Sequence, residues 1–138
     1  MDQTYSEISQ ALAPYFDGFY QGDVETLKRI FHANAHLYSA SDGPLQDDPM
    51  DAVYARVAGR TPPAANRQRR LDSILSIDKS GPESALVKVQ IAIGEKLFTD
   101  YLNLLRIDGR WQIISKTYTY VPIEVEVEVE DAASEAAE

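Results

Sequence analysis

Apolar residues recur at helical spacing near the start of the chain, at Ile8, Leu12, Tyr15, Phe16, Phe19 and Tyr20. Thr4 and Glu7 ahead of them form a capping-box pattern, so a first helix is expected over residues 4–21. Pro14 lies inside that span and predicts a kink or a local break. Gly22 closes the helix, and Asp23 is placed to cap a second, short one whose apolar face holds Leu27, Ile30 and Phe31. The period then changes to two. Residues 35–40 read as a strand, Asp42-Gly43 as a turn, and a short partner strand is expected around Leu45. Asp48-Pro49, with Asp51 following, predicts the cap of a third helix burying Val53, Tyr54 and Val57. Residues 59–68 carry two prolines and no apolar periodicity, which makes them a loop. Alternation then predicts strands over 69–79, 84–93, 96–108 and 110–120, separated by Ser80-Gly81-Pro82, Gly94-Glu95 and Asp108-Gly109. Helices followed by an antiparallel meander define an α+β fold.

The C-terminal residues depart from this pattern. Val121, Ile123, Val125, Val127 and Val129 alternate with Glu124, Glu126, Glu128 and Glu130, and Pro122 would confine such a strand to a sheet edge. An edge strand over 123–129 is therefore expected, followed by a flexible end rich in Ala, Ser and Glu. The chain divides accordingly into a domain over 1–120 and an acidic extension over 121–138. That division changes the meaning of the net charge of −9. Seven acids and no base lie in the extension, so the domain itself is close to neutral. It has no basic stripe with which to displace counterions, and nucleic acid is not an expected partner. The absence of cysteine excludes disulfides and thiolate chemistry. No apolar run is long enough to span a bilayer and the first thirty residues carry no signal-peptide pattern, so a soluble cytoplasmic protein is expected.

The order helix, short helix, strand, helix and four-strand meander resembles the nuclear transport factor 2-like superfamily. Gly22-Asp23 between the first helices, Phe31 four residues before Ala35, and the Asp108-Gly109-Arg110-Trp111 hairpin carry the resemblance. Phe98-Thr99-Asp100-Tyr101-Leu102 and Ser115-Lys116-Thr117 bring it nearer to the bacterial group labelled putative lumazine-binding. The resemblance covers about residues 4–120. It implies a cone: N-terminal helices packed in the concave face of a strongly curved, mostly antiparallel sheet. It also implies a small aromatic or heterocyclic ligand in the concavity and a homodimer formed through the convex face.

Steroid isomerases of that superfamily use a helical tyrosine, a strand acid and a carboxylate base, which by resemblance fall on Tyr15, Asn103 and Ser39. Serine is not a general base without a partner to take its proton, so that chemistry is not expected here. Alternation groups Thr99, Tyr101, Asn103 and Leu105 on one face of their strand and Phe98, Asp100, Leu102 and Leu104 on the other. With Asn103 in the cavity, Tyr101 joins it, and Leu102 and Leu104 go to the dimer face. On the last strand Ile114, Lys116 and Tyr118 are expected to point inward, Lys116 being able to hold an anionic ligand or work with a lowered pKa. The candidate ligand-binding residues are therefore Tyr15, Phe19, Ser39, Tyr54, Tyr101, Asn103, Lys116 and Tyr118. His32 and His36 straddle a helix–strand boundary and are not expected to bind a metal; no cofactor is expected either. Asp47 and Asp48 are read as helix caps. Arg60, Arg67, Arg69 and Arg70 form a basic cluster that could dock an acidic group, including the tail. Three functions stay open: a non-catalytic small-molecule binder, a dehydratase or isomerase using Lys116 or Tyr15 as its acid–base group, and a dimerisation module with a filled cone.

Overall fold

A computed structural model describes residues 3–128. The first expected helix is two: α1 (Thr4–Ala11) and α2 (Ala13–Gln21), with Leu12 between them. Pro14 stands in the first turn of α2, where its missing N–H leaves no intrahelical bond unmade. Gln3, and not Thr4, occupies the cap position of α1, and its carbonyl accepts the Glu7 N–H at 2.9 Å. Gly22 ends α2 in the left-handed conformation, φ +68°. Asp23 then caps α3 (Val24–Leu27), its carboxylate accepting the Thr26 N–H at 3.3 Å and the Thr26 hydroxyl at 2.8 Å.

The strands are β1 (Phe31–Ser39), β2 (Gln46–Pro49), β3 (Ser73–Ser80), β4 (Ser84–Ile93), β5 (Lys96–Ile107) and β6 (Arg110–Pro122), with α4 (Met50–Gly59) after β2. They form one curved sheet in the order β2-β1-β6-β5-β4-β3, antiparallel throughout except for β1 beside β6. The helices fill its concave face. Ile8 of α1 and Leu12 at the junction, with Tyr15 and Phe19 of α2, enter a core shared with Val87, Val89, Leu102, Leu104 and Ile113. The cone expected from the sequence is the fold. No helix is long and apolar enough to cross a membrane among the described residues.

Two departures from the expected boundaries have clear causes. β2 runs to Pro49, which pairs with His36, so Asp47 and Asp48 are strand residues and not helix caps. Asp47 meets His36 Nδ1 at 2.6 Å, and Asp48 accepts from Arg56 at 3.1 Å. β3 begins at Ser73 instead of residue 69 because the backbone before it pairs with the tail. Arg69 N–H donates to the Glu126 carbonyl at 2.6 Å, Glu128 N–H to Arg67 at 2.7 Å, and Gln68 faces Val127 in a single antiparallel bridge. The Arg69 guanidinium meets the Glu126 carboxylate at 2.9 Å. Arg70 instead holds Asp17 and Asp72, so the basic cluster is divided among different acids. Residue 129 and the end expected to be flexible lie outside the described residues.

Opposite Asn103 and Leu104 the ladder slips, with Asn103 across from Ser115 and Leu104 across from Ile113. Ile114 is the extra residue of a bulge in β6.

Gly22 offers a sharp test of the α2–α3 junction. A Cβ there would lie 2.8 Å from Pro62 Cβ, and the left-handed backbone adds strain of its own. Gly22→Ala is expected to lower unfolding free energy by about 2 kcal/mol or more in urea titration, the left-handed conformation alone accounting for about 1–2 kcal/mol.

Candidate functional site

The floor of the concave face holds three polar side chains in an otherwise apolar core. Asp100 of β5 and Tyr15 of α2 are completely buried, and Lys116 of β6 is 5% exposed. Their elements converge because Asp100 shares its strand face with Phe98, Leu102 and Leu104, and that apolar set must pack on the helices. The Tyr15 hydroxyl donates to Asp100 Oδ2 and accepts from Lys116 Nζ at 2.7 Å. Lys116 Nζ also lies 3.3 Å from the same carboxylate oxygen. Asp100 Oδ1 has no hydrogen-bond partner among the described residues.

The rings of Phe19, Tyr15 and Tyr118 surround the ammonium at 4.9, 5.2 and 5.2 Å from their centroids. Such contacts favour the charged form. Burial acts against it more strongly. The Lys116 pKa lies below the ordinary lysine value because of desolvation, opposed by Asp100 and reinforced by the positive charges of Arg60 and Arg56. The Tyr15 pKa is raised well above that of a free phenol, first by burial and then by the Asp100 charge. Tyr15 therefore stays protonated and can keep donating to the carboxylate. An ammonium has three N–H donors, and two are directed at Tyr15 and Asp100. The third is left for the cavity.

That cavity, about 230 Å³, opens above Lys116. Phe19, Leu37, Val53, Val57, Ile93, Phe98 and Tyr118 form its apolar and aromatic walls. Ser39, Asp42, Gln46, Arg56, Arg60, Lys96 and Tyr120 complete the lining. Of the residues expected at the ligand, Phe19, Ser39, Lys116 and Tyr118 line it. Tyr15 stands behind Lys116. Tyr54 is half-buried on another side of α4, below the Lys28 ammonium, and does not line the cavity.

Tyr101 and Asn103 are on the convex face, contrary to expectation. Tyr101 is exposed beside Lys88, and the Asn103 amide donates to Ser115 at 3.1 Å. Leu102 and Leu104 are correspondingly in the core and not on an outer interface. The strand acid of the site is Asp100, which the sequence reading set on the outside. The signal was present: three of the four residues on the Asp100 face are apolar, against polar Thr99 and Asn103 on the other. Ile114 is likewise displaced from the expected inward face by the bulge. Ser39 is nearly buried, and its hydroxyl donates to the Ser41 hydroxyl at 3.1 Å, with no base beside it among the described residues. His32 and His36 are engaged separately, His32 with the Asn34 N–H and His36 with Asp47.

Comparison with known proteins agrees with this architecture. Residues 3–119 match the family described as "Putative lumazine-binding", and the chain belongs to that family. A curated relative, "Aldolase FrzH" of Cladobotryum sp, is 27% identical over 124 residues, covering 86% of this chain and 95% of that protein. Crystal structures of NTF2-like proteins of unknown function share the fold. One from Shewanella baltica OS155 superposes with a TM-score of 0.78 at 25% identity, covering 87% of this chain and 95% of that one. One from Silicibacter pomeroyi DSS-3 gives 0.74 at 24%, covering 88% and 100%.

The two buried charges are expected to be strongly coupled in stability. Asp100→Asn or Lys116→Met alone should each destabilise by about 3–5 kcal/mol, since each leaves an uncompensated charge in the core. The double variant should be far less destabilised than the sum of the two, as measured by urea unfolding. Simple additivity would contradict the pairing.

Proposed function

We propose that this protein is an enzyme of aldolase or isomerase type that acts on a small carbonyl compound, with Lys116 as its acid–base group. The observation that carries the reading is the Lys116 amino group at the cavity floor, held by Tyr15 and Asp100 and lowered in pKa by burial. The aldolase named among its relatives supports the same class.

In the aldol direction one group suffices. Neutral Lys116 takes a proton from the carbon beside the substrate carbonyl, giving an ammonium and an enolate. The enolate carbon bonds to the carbonyl carbon of an aldehyde, whose oxygen becomes an alkoxide. The ammonium returns its proton to that alkoxide, and the amine is regenerated with no net proton change. An isomerase would act on an unsaturated carbonyl compound and return the proton to the far carbon of the conjugated dienolate. Tyr15 and Asp100 position the amine throughout and stabilise the ammonium once it forms.

A second reading, a non-catalytic binder for a flat heterocycle, draws on the aromatic walls at Phe19, Phe98 and Tyr118 and on the absence of a carboxylate at Ser39. It predicts ligand retention without proton exchange. A dimer through the convex face remains part of our proposal, supported by exposed Leu86 and Tyr101 there. Sedimentation equilibrium is expected to give two chains, with dissociation promoted by Tyr101→Glu.

Incubating the protein in D2O with a panel of small aldehydes and ketones tests the chemistry. Proton NMR is expected to show enzyme-dependent loss of signals beside the carbonyl, abolished in Lys116→Met. The rate should rise with pH through the Lys116 pKa, below the ordinary lysine value, because the neutral amine is the base. Asp100→Asn removes the charge that raises this pKa, so its profile should shift to lower pH. Exchange undiminished in Lys116→Met would refute the assignment.

A further inference from the structure

Arg60 is the least satisfied group at the cavity. It is half-buried at the end of α4, it lines the cavity, and it has no hydrogen-bond or ion-pair partner among the described residues. Its neighbours deepen the imbalance. Arg56, one helical turn earlier, lines the same wall and is balanced by Asp48 at 3.1 Å. Lys116 is balanced by Asp100. Asp42, the cavity's acidic lining residue, is engaged by the Tyr120 hydroxyl at 2.8 Å. Lys96 lies over the Tyr120 ring at 4.3 Å. The Arg60 guanidinium thus faces the cavity with no anion supplied to it by the described residues.

Burying part of a guanidinium beside other cations is unfavourable without a compensating anion. Burial lowers the Arg60 pKa and the Arg56 charge lowers it further, so the surroundings act against this cation. A planar fork of donors matches a carboxylate in a bidentate pair.

We propose that the substrate is a small oxo acid whose carboxylate is bound by Arg60, with Arg56 beside it, while its carbonyl lies at Lys116. This rests on the reading of Lys116 above and adds a substrate class to it. Arg60 is then the specificity-determining residue: it fixes one end of the ligand so that the reacting carbon stands over the amine. The aromatic walls hold the rest of the carbon skeleton.

The test uses 2-oxo-4-phenylbutanoate and its ethyl ester, which differ in the anionic group. Calorimetric titration at low salt is expected to show the acid binding more tightly than the ester, with the preference falling as salt is added. Arg60→Met should weaken acid binding about tenfold to a hundredfold, the value of hydrogen bonds to a charged partner, and leave ester binding nearly unchanged. Arg56→Gln provides a second variant on the same wall and should give a smaller loss in the same direction. Thermal unfolding of each variant confirms that it is folded. Equal binding of acid and ester, or unchanged acid binding in folded Arg60→Met, overturns the proposal. The Lys116 reading is scored separately by deuterium exchange. Acid preference without Lys116-dependent exchange leaves the carboxylate site standing and removes the enzyme. Lys116-dependent exchange that is indifferent to acid and ester does the reverse.

Discussion

Two opposite charges inside an apolar core set the terms for the rest of this molecule. Asp100 and Lys116 arrive from neighbouring strands, and Tyr15 arrives from a helix packed across them. Removing either partner alone would leave the other without its compensating group in the core, at a cost of several kcal/mol. The contact joins α2 to β5 and β6 on the faces that their apolar residues turn inward. It also places the amino end of Lys116 at the bottom of a cavity that the same packing leaves open. The packing of the core and the polar floor of the cavity depend on one set of atoms, so selection for either constrains both.

Much of the fold was legible because its punctuation has direct physical causes. Gly22 is required by a left-handed helix end, Pro14 by a first helical turn, and Asp108-Gly109 by a tight hairpin in which both residues take positive φ. The meander followed from alternation alone. What failed was the choice of face on β5. Superfamily resemblance put the strand acid at Asn103, an odd number of residues from Asp100, and in a strand such a step reverses every side chain. The apolar company of Asp100 gave the better answer. A buried carboxylate contradicts the usual rule about charges, and only the partners Tyr15 and Lys116, distant in sequence, make it tolerable.

Other misreadings arose where local and long-range partners compete. Asp47 and Asp48 looked like caps because the sequence following them is helical, yet β1 recruits both into a strand. Residue 69 looked like the start of β3, yet the acidic tail takes up its backbone N–H. The cluster of arginines gave no sign that Arg60 would part from the rest. Its separation depends on α4 ending at the cavity wall, which is a property of packing and not of spacing.

The bulge at Ile114 has a consequence for how such a pocket can change through descent. On the core side of it, the inward residues of β6 are Trp111 and Ile113; on the cavity side they are Lys116 and Tyr118. One set is odd and the other even. The extra residue lets a single strand supply a dry core at one end and a polar floor at the other. Loss of one residue between them would turn Lys116 outward while leaving the composition almost untouched. Lineages with this fold could thus gain or lose a polar cavity floor by a frame of one residue in a strand, without altering a single side-chain type.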